Sequence, residues 1–183
     1  MIEGYPRSAN SFAVVAFRTA QPKPLWIAHH LHSEAQLIVA ARRSVPALAL
    51  IRDPAEAIRS FKFVQPDLDD ARELEHWIRF YETVASLGDA VVVADFADAT
   101  ADFGAVTARV NARFGSRFSL FETHPASVAQ VFAELESEQL QLGTAHYAGR
   151  PDPALADRKQ SVEVTFDPAR LAHAHALYRQ LVG

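Results

Sequence analysis

Hydrophobic residues along the chain alternate between short continuous runs and longer stretches with helical spacing. The short runs are too short for core helices and are bounded by turn-forming residues, so they predict buried strands at 2–5, 25–28, 45–51 and 90–94. The longer stretches predict helices at 12–18, 34–43, 54–61, 67–87, 103–114, 126–135 and 168–181. Short strands that alternate with helices predict an α/β fold, a three-layer sandwich with a mainly parallel central sheet.

Residues at the ends of these predicted helices support their bounds. Ser33 is suited to cap the helix over 34–43, and Asp53 to cap the helix that Pro54 opens. Gly88 and Gly115 follow two other helices, where a left-handed residue commonly ends a helix. The stretch from 138 to 157 has no helical period and contains Gly and Pro, so it predicts a long loop of the functional or mobile kind.

Length, composition and charge limit the classes of protein. A chain of 183 residues, 49% hydrophobic and 22% charged, predicts one domain over 1–183 with a sizeable core. The absence of cysteine excludes a disulfide framework and a thiolate metal site, and a net charge of −4 argues against nucleic-acid binding. No apolar run is long enough to cross a bilayer, and the first residues do not resemble a signal peptide. We therefore expect a cytoplasmic enzyme or binding protein.

The loop between the first strand and the first helix combines small and polar residues with one cation. Arg7 supplies the charge, and Ser8, Asn10 and Ser11 supply donor groups. Because the N-terminus of a helix attracts anions, this loop predicts a site for a phosphate or sulfate group. An ordinary turn in which Ser11 or Asn10 only caps the helix explains the same residues. The Walker pattern of P-loop proteins is absent.

Three charged or titratable residues each follow a different predicted strand. Arg7, His30 and Arg52 lie just beyond the first, second and third strand. The C-terminal ends of parallel strands meet at one edge of the sheet, where ligands of α/β proteins bind. We therefore expect these three residues to lie close together.

With these positions, the chain resembles the sulfotransferases that use 3′-phosphoadenosine 5′-phosphosulfate, enzymes with a P-loop NTPase-like α/β fold. In that family the first strand leads into a Tyr-Pro-Lys-Ser-Gly-Thr-Thr type of loop that grips the 5′-phosphosulfate. Residues 5–11, Tyr-Pro-Arg-Ser-Ala-Asn-Ser, are similar, with Arg7 in place of the lysine and Ala9 in place of the glycine. The second strand of the family ends in Lys-Thr-His, whose histidine is the catalytic base. Ala28-His29-His30 occupies that place, so the resemblance implies that His30 is the base.

The most specific part of the resemblance follows the third strand. The family has Arg-Asn-Pro there and a serine six residues after the proline, and this Arg and Ser bind the 3′-phosphate. Arg52-Asp53-Pro54 and Ser60 reproduce that spacing, and Arg158-Lys159 resembles a later Arg-Lys pair that also reaches the 3′-phosphate. The resemblance thus implies catalytic roles for His30 and Arg7, no metal, and a nucleotide site formed by Arg7, Ser8, Ala9, Asn10, Ser11, Phe12, Arg52, Ser60, Arg158 and Lys159.

The implied activity is transfer of a sulfuryl group from this co-substrate to a hydroxyl or amine of a small molecule, lipid or carbohydrate. The chain is short for the family, so the acceptor pocket is small, open, or completed by a partner chain in a homodimer. One alternative is a P-loop-type kinase, which the missing Walker lysine disfavours. Another is a non-catalytic binder of phosphorylated ligands, which Arg7 and Ala9 allow. Without the resemblance, the favoured reading of His30 is a histidine held by a backbone carbonyl. His29, His30 and His32 have no nearby carboxylate or thiolate in the sequence to complete a metal site.

Overall fold

A computed structural model describes residues 1–141 and 153–183 and contains, within them, a sheet of three parallel strands. The strands lie side by side in the order β1 (Ile2–Gly4), β2 (Leu48–Ile51) and β3 (Val92–Asp95). Gly4 is paired with Leu50, and Ile51 with Asp95, so all three strands end at the same edge. The predicted α/β architecture with a parallel sheet is therefore confirmed.

Helices fill most of the remaining described chain. They are α1 (Asn10–Ala20), α2 (Glu34–Arg42), α3 (Pro54–Lys62), α4 (Asp70–Leu87), α5 (Phe96–Ala101), α6 (Phe103–Phe114), α7 (Pro125–Gln141), α8 (Pro153–Gln160) and α9 (Pro168–Val182). Two predicted N-caps are confirmed: the Ala35 N–H donates to Ser33 Oγ over 3.3 Å, and the Glu56 N–H to Asp53 Oδ1 over 3.1 Å. In the described residues, no helix is both long and apolar enough to span a membrane.

Side chains on both faces of the sheet are buried, and helices cover each face. Leu48 and Leu50 point to one face and pack with apolar residues of α1, α6 and α7. Ala49 and Ile51 point to the other face and pack with α2, α3, α4 and α9. Burying one such large aliphatic side chain contributes about 1.5–3 kcal/mol. Strands this short are therefore held mainly by the two helical layers.

Residues 25–28 do not form the strand that their apolar sequence predicts. We call residues 25–32 the edge segment, because it follows the outer side of β1. The Ile2 N–H donates to Ala28 O over 3.1 Å, but farther along the Glu3 carboxylate accepts the N–H groups of Leu31 and His32, at 3.0 and 3.1 Å. The N–H groups of this segment thus bond to a side chain instead of to the backbone of β1, and the segment stays irregular.

Two other predicted bounds differ from the structure. The strand predicted from Val45 begins only at Leu48, because a left-handed Ser44 ends α2 and the Val45 N–H donates back to Ala40 O over 2.9 Å. The long loop predicted over 138–157 is wrong at both ends, since α7 continues through 138–141 and α8 includes 153–157. The central part of that predicted loop, 142–152, lies outside the described residues.

Candidate functional site

The loop between β1 and α1 has a backbone suited to an anion. Its φ angle is 68° at Arg7 and 71° at Ala9 but is not positive at Ser8 between them. Alternation of this kind turns successive N–H groups toward one concavity, which favours a negative charge. Ala9 is the N-cap residue of α1, and no side chain caps the helix there, so the alternative in which Asn10 or Ser11 serves only as the cap is not observed. The positive end of the α1 dipole therefore faces this loop.

Most polar side chains of the loop are directed into the protein rather than toward an anion. Asn10 is buried and donates through Nδ2 to Tyr5 O over 3.0 Å, while Ser8 is fully buried. Phe12 packs its ring against three other phenylalanines of the core. The Ser8 and Asn10 side chains are both buried in this geometry, and their role as donors to a ligand stays a prediction. The main-chain N–H groups of Ser8, Asn10 and Phe12 remain available for ligand binding.

The structure brings together the ends of the first two strands and helix α3. Arg7 donates through Nε to Ser60 Oγ over 3.2 Å, and Arg52 donates through Nη1 to Arg7 O over 3.3 Å. These contacts join residues 45 and 53 positions apart in the sequence. The expected proximity of Arg7 and Arg52 is therefore observed, and it includes Ser60.

The electrostatics of this pair favour an anionic ligand. Burial lowers the pKa of Arg7, and the neighbouring charge of Arg52 lowers it further. Burial also lowers the pKa of Arg52, while the carboxylates of Glu56, Asp53 and Asp95 act in the opposite direction. Both guanidinium groups remain charged because arginine titrates far above neutral pH. Two cations held close together at a strand edge are stabilised by a phosphate placed between them.

Several contacts fix the position of Arg52. Its guanidinium carbon lies 4.4 Å from the centre of the Phe96 ring, a cation–π contact. Its Nη2 is 3.6 Å from Glu56 Oε2, and its carbonyl accepts from Trp77 Nε1 over 3.3 Å. The role of Phe96 is not evident from the sequence alone. The sequence feature that could have indicated this role is an aromatic residue directly after the last strand, at the sheet edge where we expect Arg52.

The late cationic pair lies beside the same helix as Ser60. Arg158 and Lys159 are on α8, and both approach the ring of Phe63, with Arg158 Cζ at 5.7 Å and Lys159 Nζ at 5.9 Å from its centre. Phe63 follows Ser60 by three residues, and such residues are neighbours on a helical surface. Four of the predicted nucleotide-site residues are therefore grouped along α3: Arg7, Ser60, Arg158 and Lys159.

His30 contacts the loop at the start of α1. Its Nε2 is 2.9 Å from Ser11 Oγ, and its Nδ1 shares a hydrogen bond with Nδ1 of His29. When Nδ1 carries the proton, Nε2 accepts from the Ser11 hydroxyl and has the free electron pair of a base. Burial, together with His29 and His32, lowers the pKa of His30 to about 4. The ring is thus neutral at pH 7 but is a weaker base than the ordinary imidazole expected from the sequence.

Glu3 positions the part of the edge segment that carries His30. Its carboxylate is fully buried and accepts the two N–H groups of Leu31 and His32. The His32 ring donates through Nδ1 to Gly4 O over 2.7 Å, which attaches the same turn to the end of β1. This role was missed in the sequence. The sequence feature that could have indicated it is an acidic residue inside a short apolar strand, because a buried carboxylate requires hydrogen-bonding partners.

The three histidines of the edge segment do not form a metal site. The ring centres of His29 and His30 are 4.7 Å apart, and those of His30 and His32 are 5.9 Å apart. Although these rings are close together, no group of three His, Asp or Glu side chains within 1–141 and 153–183 is arranged to hold a metal ion.

Comparison of the chain with protein-family models, with curated proteins and with solved structures found no match.

Proposed function

We propose that the chain is a sulfotransferase that moves a sulfuryl group from 3′-phosphoadenosine 5′-phosphosulfate to a hydroxyl or amine acceptor, on a P-loop NTPase-like fold. The main support is the hydrogen-bonded group Arg7, Ser60 and Arg52 beside the anion-binding loop. His30 lies within hydrogen-bonding distance of the same loop, at Ser11. A cationic site with a neutral base at its border is suited to a donor with two anionic groups and a neutral acceptor.

Each phosphate of the donor has a separate group of residues in this proposal. The N–H groups of the loop and of the first turn of α1 bind the 5′-phosphosulfate. Arg52, Ser60, Arg158 and Lys159 bind the 3′-phosphate, with Arg7 between the two groups. Guanidinium groups suit this role because each offers two parallel hydrogen bonds to a phosphate.

In the reaction, the acceptor oxygen or nitrogen forms a bond to sulfur while the bond from sulfur to the 5′-phosphate oxygen breaks. The acceptor proton passes to Nε2 of His30, so the acceptor must first replace the Ser11 hydroxyl at that atom. Negative charge grows on the departing phosphate, where Arg7 and the loop N–H groups stabilise it. His30 then returns its proton to solvent.

A non-catalytic phosphonucleotide binder is the second candidate, and one observation favours it. The resemblance places the cation of Arg7 on the 5′-phosphosulfate, whereas its Nε donates to Ser60, which belongs to the proposed 3′-phosphate group. A cation shared in this way still strengthens nucleotide binding but stabilises the leaving group less.

Turnover and binding in one matched set of variants separate the two candidates. His30→Asn removes the base, and asparagine tolerates the left-handed backbone at this position, where φ is 61°. His173→Asn is the control, since His173 is an exposed residue of α9 that pairs with Glu82. The wild type and variants are incubated with 3′-phosphoadenosine 5′-phosphosulfate and a panel of phenols, alcohols and amines, and release of 3′-phosphoadenosine 5′-phosphate is measured.

A sulfotransferase releases the nucleotide with one of the acceptors, and His30→Asn loses about 10² to 10⁴ in rate while still binding nucleotide. Tight binding with no release in any variant supports the binder. An absence of binding contradicts both candidates, and preferential binding of ATP with magnesium points to a kinase.

A further inference from the structure

An apolar cavity lies at the edge of the sheet opposite the candidate site. It has a volume of about 170 Å³ and is enclosed by the starts of β1 and β2, by α1 and α6, and by the edge segment. Thr107 and Met1 are among its lining residues, and their polar groups are paired within the protein: the Thr107 hydroxyl donates to Phe103 O, and the Met1 amino group to Pro46 O. A cavity with mainly apolar walls favours an apolar occupant over a charged one.

Trp26 stands at the rim of this cavity and is fully exposed to solvent. Leu25 and Val45, which also line the cavity, are 44% and 41% exposed. The other tryptophan of the chain, Trp77, is fully buried. An exposed tryptophan with apolar neighbours is typical of a contact surface, since tryptophan contributes strongly to binding at protein interfaces.

We infer that the cavity receives Trp26 of a second copy of this chain, in a dimer with two-fold symmetry. The projecting ring and the cavity are neighbours on one surface, so a two-fold axis between two copies makes the same insertion twice. The volumes agree, because a cavity of about 150 Å³ accepts benzene and the indole ring is somewhat larger. The mainly apolar walls match the apolar ring.

The area of this contact predicts a weak dimer. Each tryptophan buries about 150–250 Å². With an equal area of cavity wall, two insertions bury roughly 600–1,000 Å², which is below the roughly 1,200–2,000 Å² of a standard stable interface. The interface lies at the opposite ends of the strands from Arg7 and Arg52, and the edge segment that forms part of it also carries His30.

Sedimentation velocity from about 1 to 200 micromolar tests this inference, since that range brackets a weak dimer. The wild type is expected to shift from monomer to dimer as concentration rises. Trp26→Ser removes the inserted ring, and Val45→Glu places a charge at the rim. We expect each to weaken association by about 30-fold or more, as loss of a dominant interface residue does. Val182→Ser is the matched control, because Val182 is 42% exposed on α9 and packs outside the cavity.

Tryptophan emission provides a second readout. Trp77 is already buried, so a concentration-dependent blue shift in the wild type reports on Trp26. Circular dichroism confirms that each variant folds, which is expected because Trp26 and Val45 are exposed. A wild type that stays monomeric at every concentration, or a dimer that Trp26→Ser leaves unchanged, overturns the inference. A monomer whose Trp26 emission shifts on addition of benzene instead assigns the cavity to a small apolar molecule.

Discussion

Replacing Arg52 with alanine is expected to weaken binding of 3′-phosphoadenosine 5′-phosphate while the protein still folds. Arg52 is only partly buried, and it lies at the sheet edge, where its guanidinium donates to Arg7 O and stacks on Phe96. Its loss removes one cation from the proposed 3′-phosphate group and one contact that supports the loop.

The size of the effect follows from the kind of contact that is lost. A hydrogen bond to a charged group is worth about 1.5–3 kcal/mol, which corresponds to roughly a tenfold to hundredfold loss of affinity. At a ligand concentration of about 100 times the dissociation constant, the wild type gains about 2.7 kcal/mol, or roughly 5–11 °C for a chain of this length. At that same concentration, the Arg52→Ala variant retains about 0.4–1.4 kcal/mol. Its ligand-induced shift is thus about half the wild-type shift or less.

Thermal unfolding of each variant with and without nucleotide measures this difference. Comparing each variant with and without nucleotide cancels the effect of the substitution on the stability of the ligand-free protein. Arg79→Ala is the control, since Arg79 is 66% exposed and pairs with Glu34 away from the loop. We expect Arg79→Ala and His30→Asn to keep the full shift. Equal losses in Arg52→Ala and His30→Asn refute the assignment of separate roles to these residues.

Three further predictions concern the backbone and the base. Ala9→Gly removes the backbone strain of a left-handed alanine at φ 71°, so the free energy of unfolding in urea titration should rise by about 0.5–1 kcal/mol. A decrease would contradict strain at this position. Glu3→Gln leaves one of the Leu31 and His32 N–H groups facing an amide donor, so the free energy of unfolding should fall by about 1–3 kcal/mol. Turnover should fall more than nucleotide affinity. Equal losses in turnover and affinity would assign Glu3 to the fold alone.

The pKa of His30, about 4, also predicts how stability depends on pH. The unfolded histidine binds a proton near pH 6.5 and the folded one does not, so stability is fully present above that value and is lost as pH falls toward 4. His30→Asn should flatten this part of the urea-midpoint profile, and a parallel profile would contradict the lowered pKa.

Local signals in the sequence were sufficient for much of the fold. The caps Ser33 and Asp53 depend only on neighbouring residues, and they lie where the sequence predicts them. The proximity of Arg7 and Arg52 follows from parallel strands alone, since their C-terminal ends share an edge. These features require no knowledge of distant side chains.

Several missed features depend on contacts between distant parts of the chain. Residues 25–28 have the composition of a strand, but the Glu3 carboxylate takes the N–H groups of the residues that follow them. Ser8 and Asn10 appear in the sequence as ligand donors, yet folding of the loop over the core buries both. The lowered pKa of His30 results from its surroundings, which the sequence does not specify.

Calorimetric titration with two nucleotides tests the central claim most directly. The claim is that the ends of β1 and β2, together with α3, form a cationic site for an adenosine that carries both a 5′- and a 3′-phosphate. We predict that 3′-phosphoadenosine 5′-phosphate binds roughly 10- to 100-fold more tightly than adenosine 5′-monophosphate, because the second phosphate gains charge-assisted hydrogen bonds. Equal affinity for the two nucleotides, or no binding of either, would contradict it.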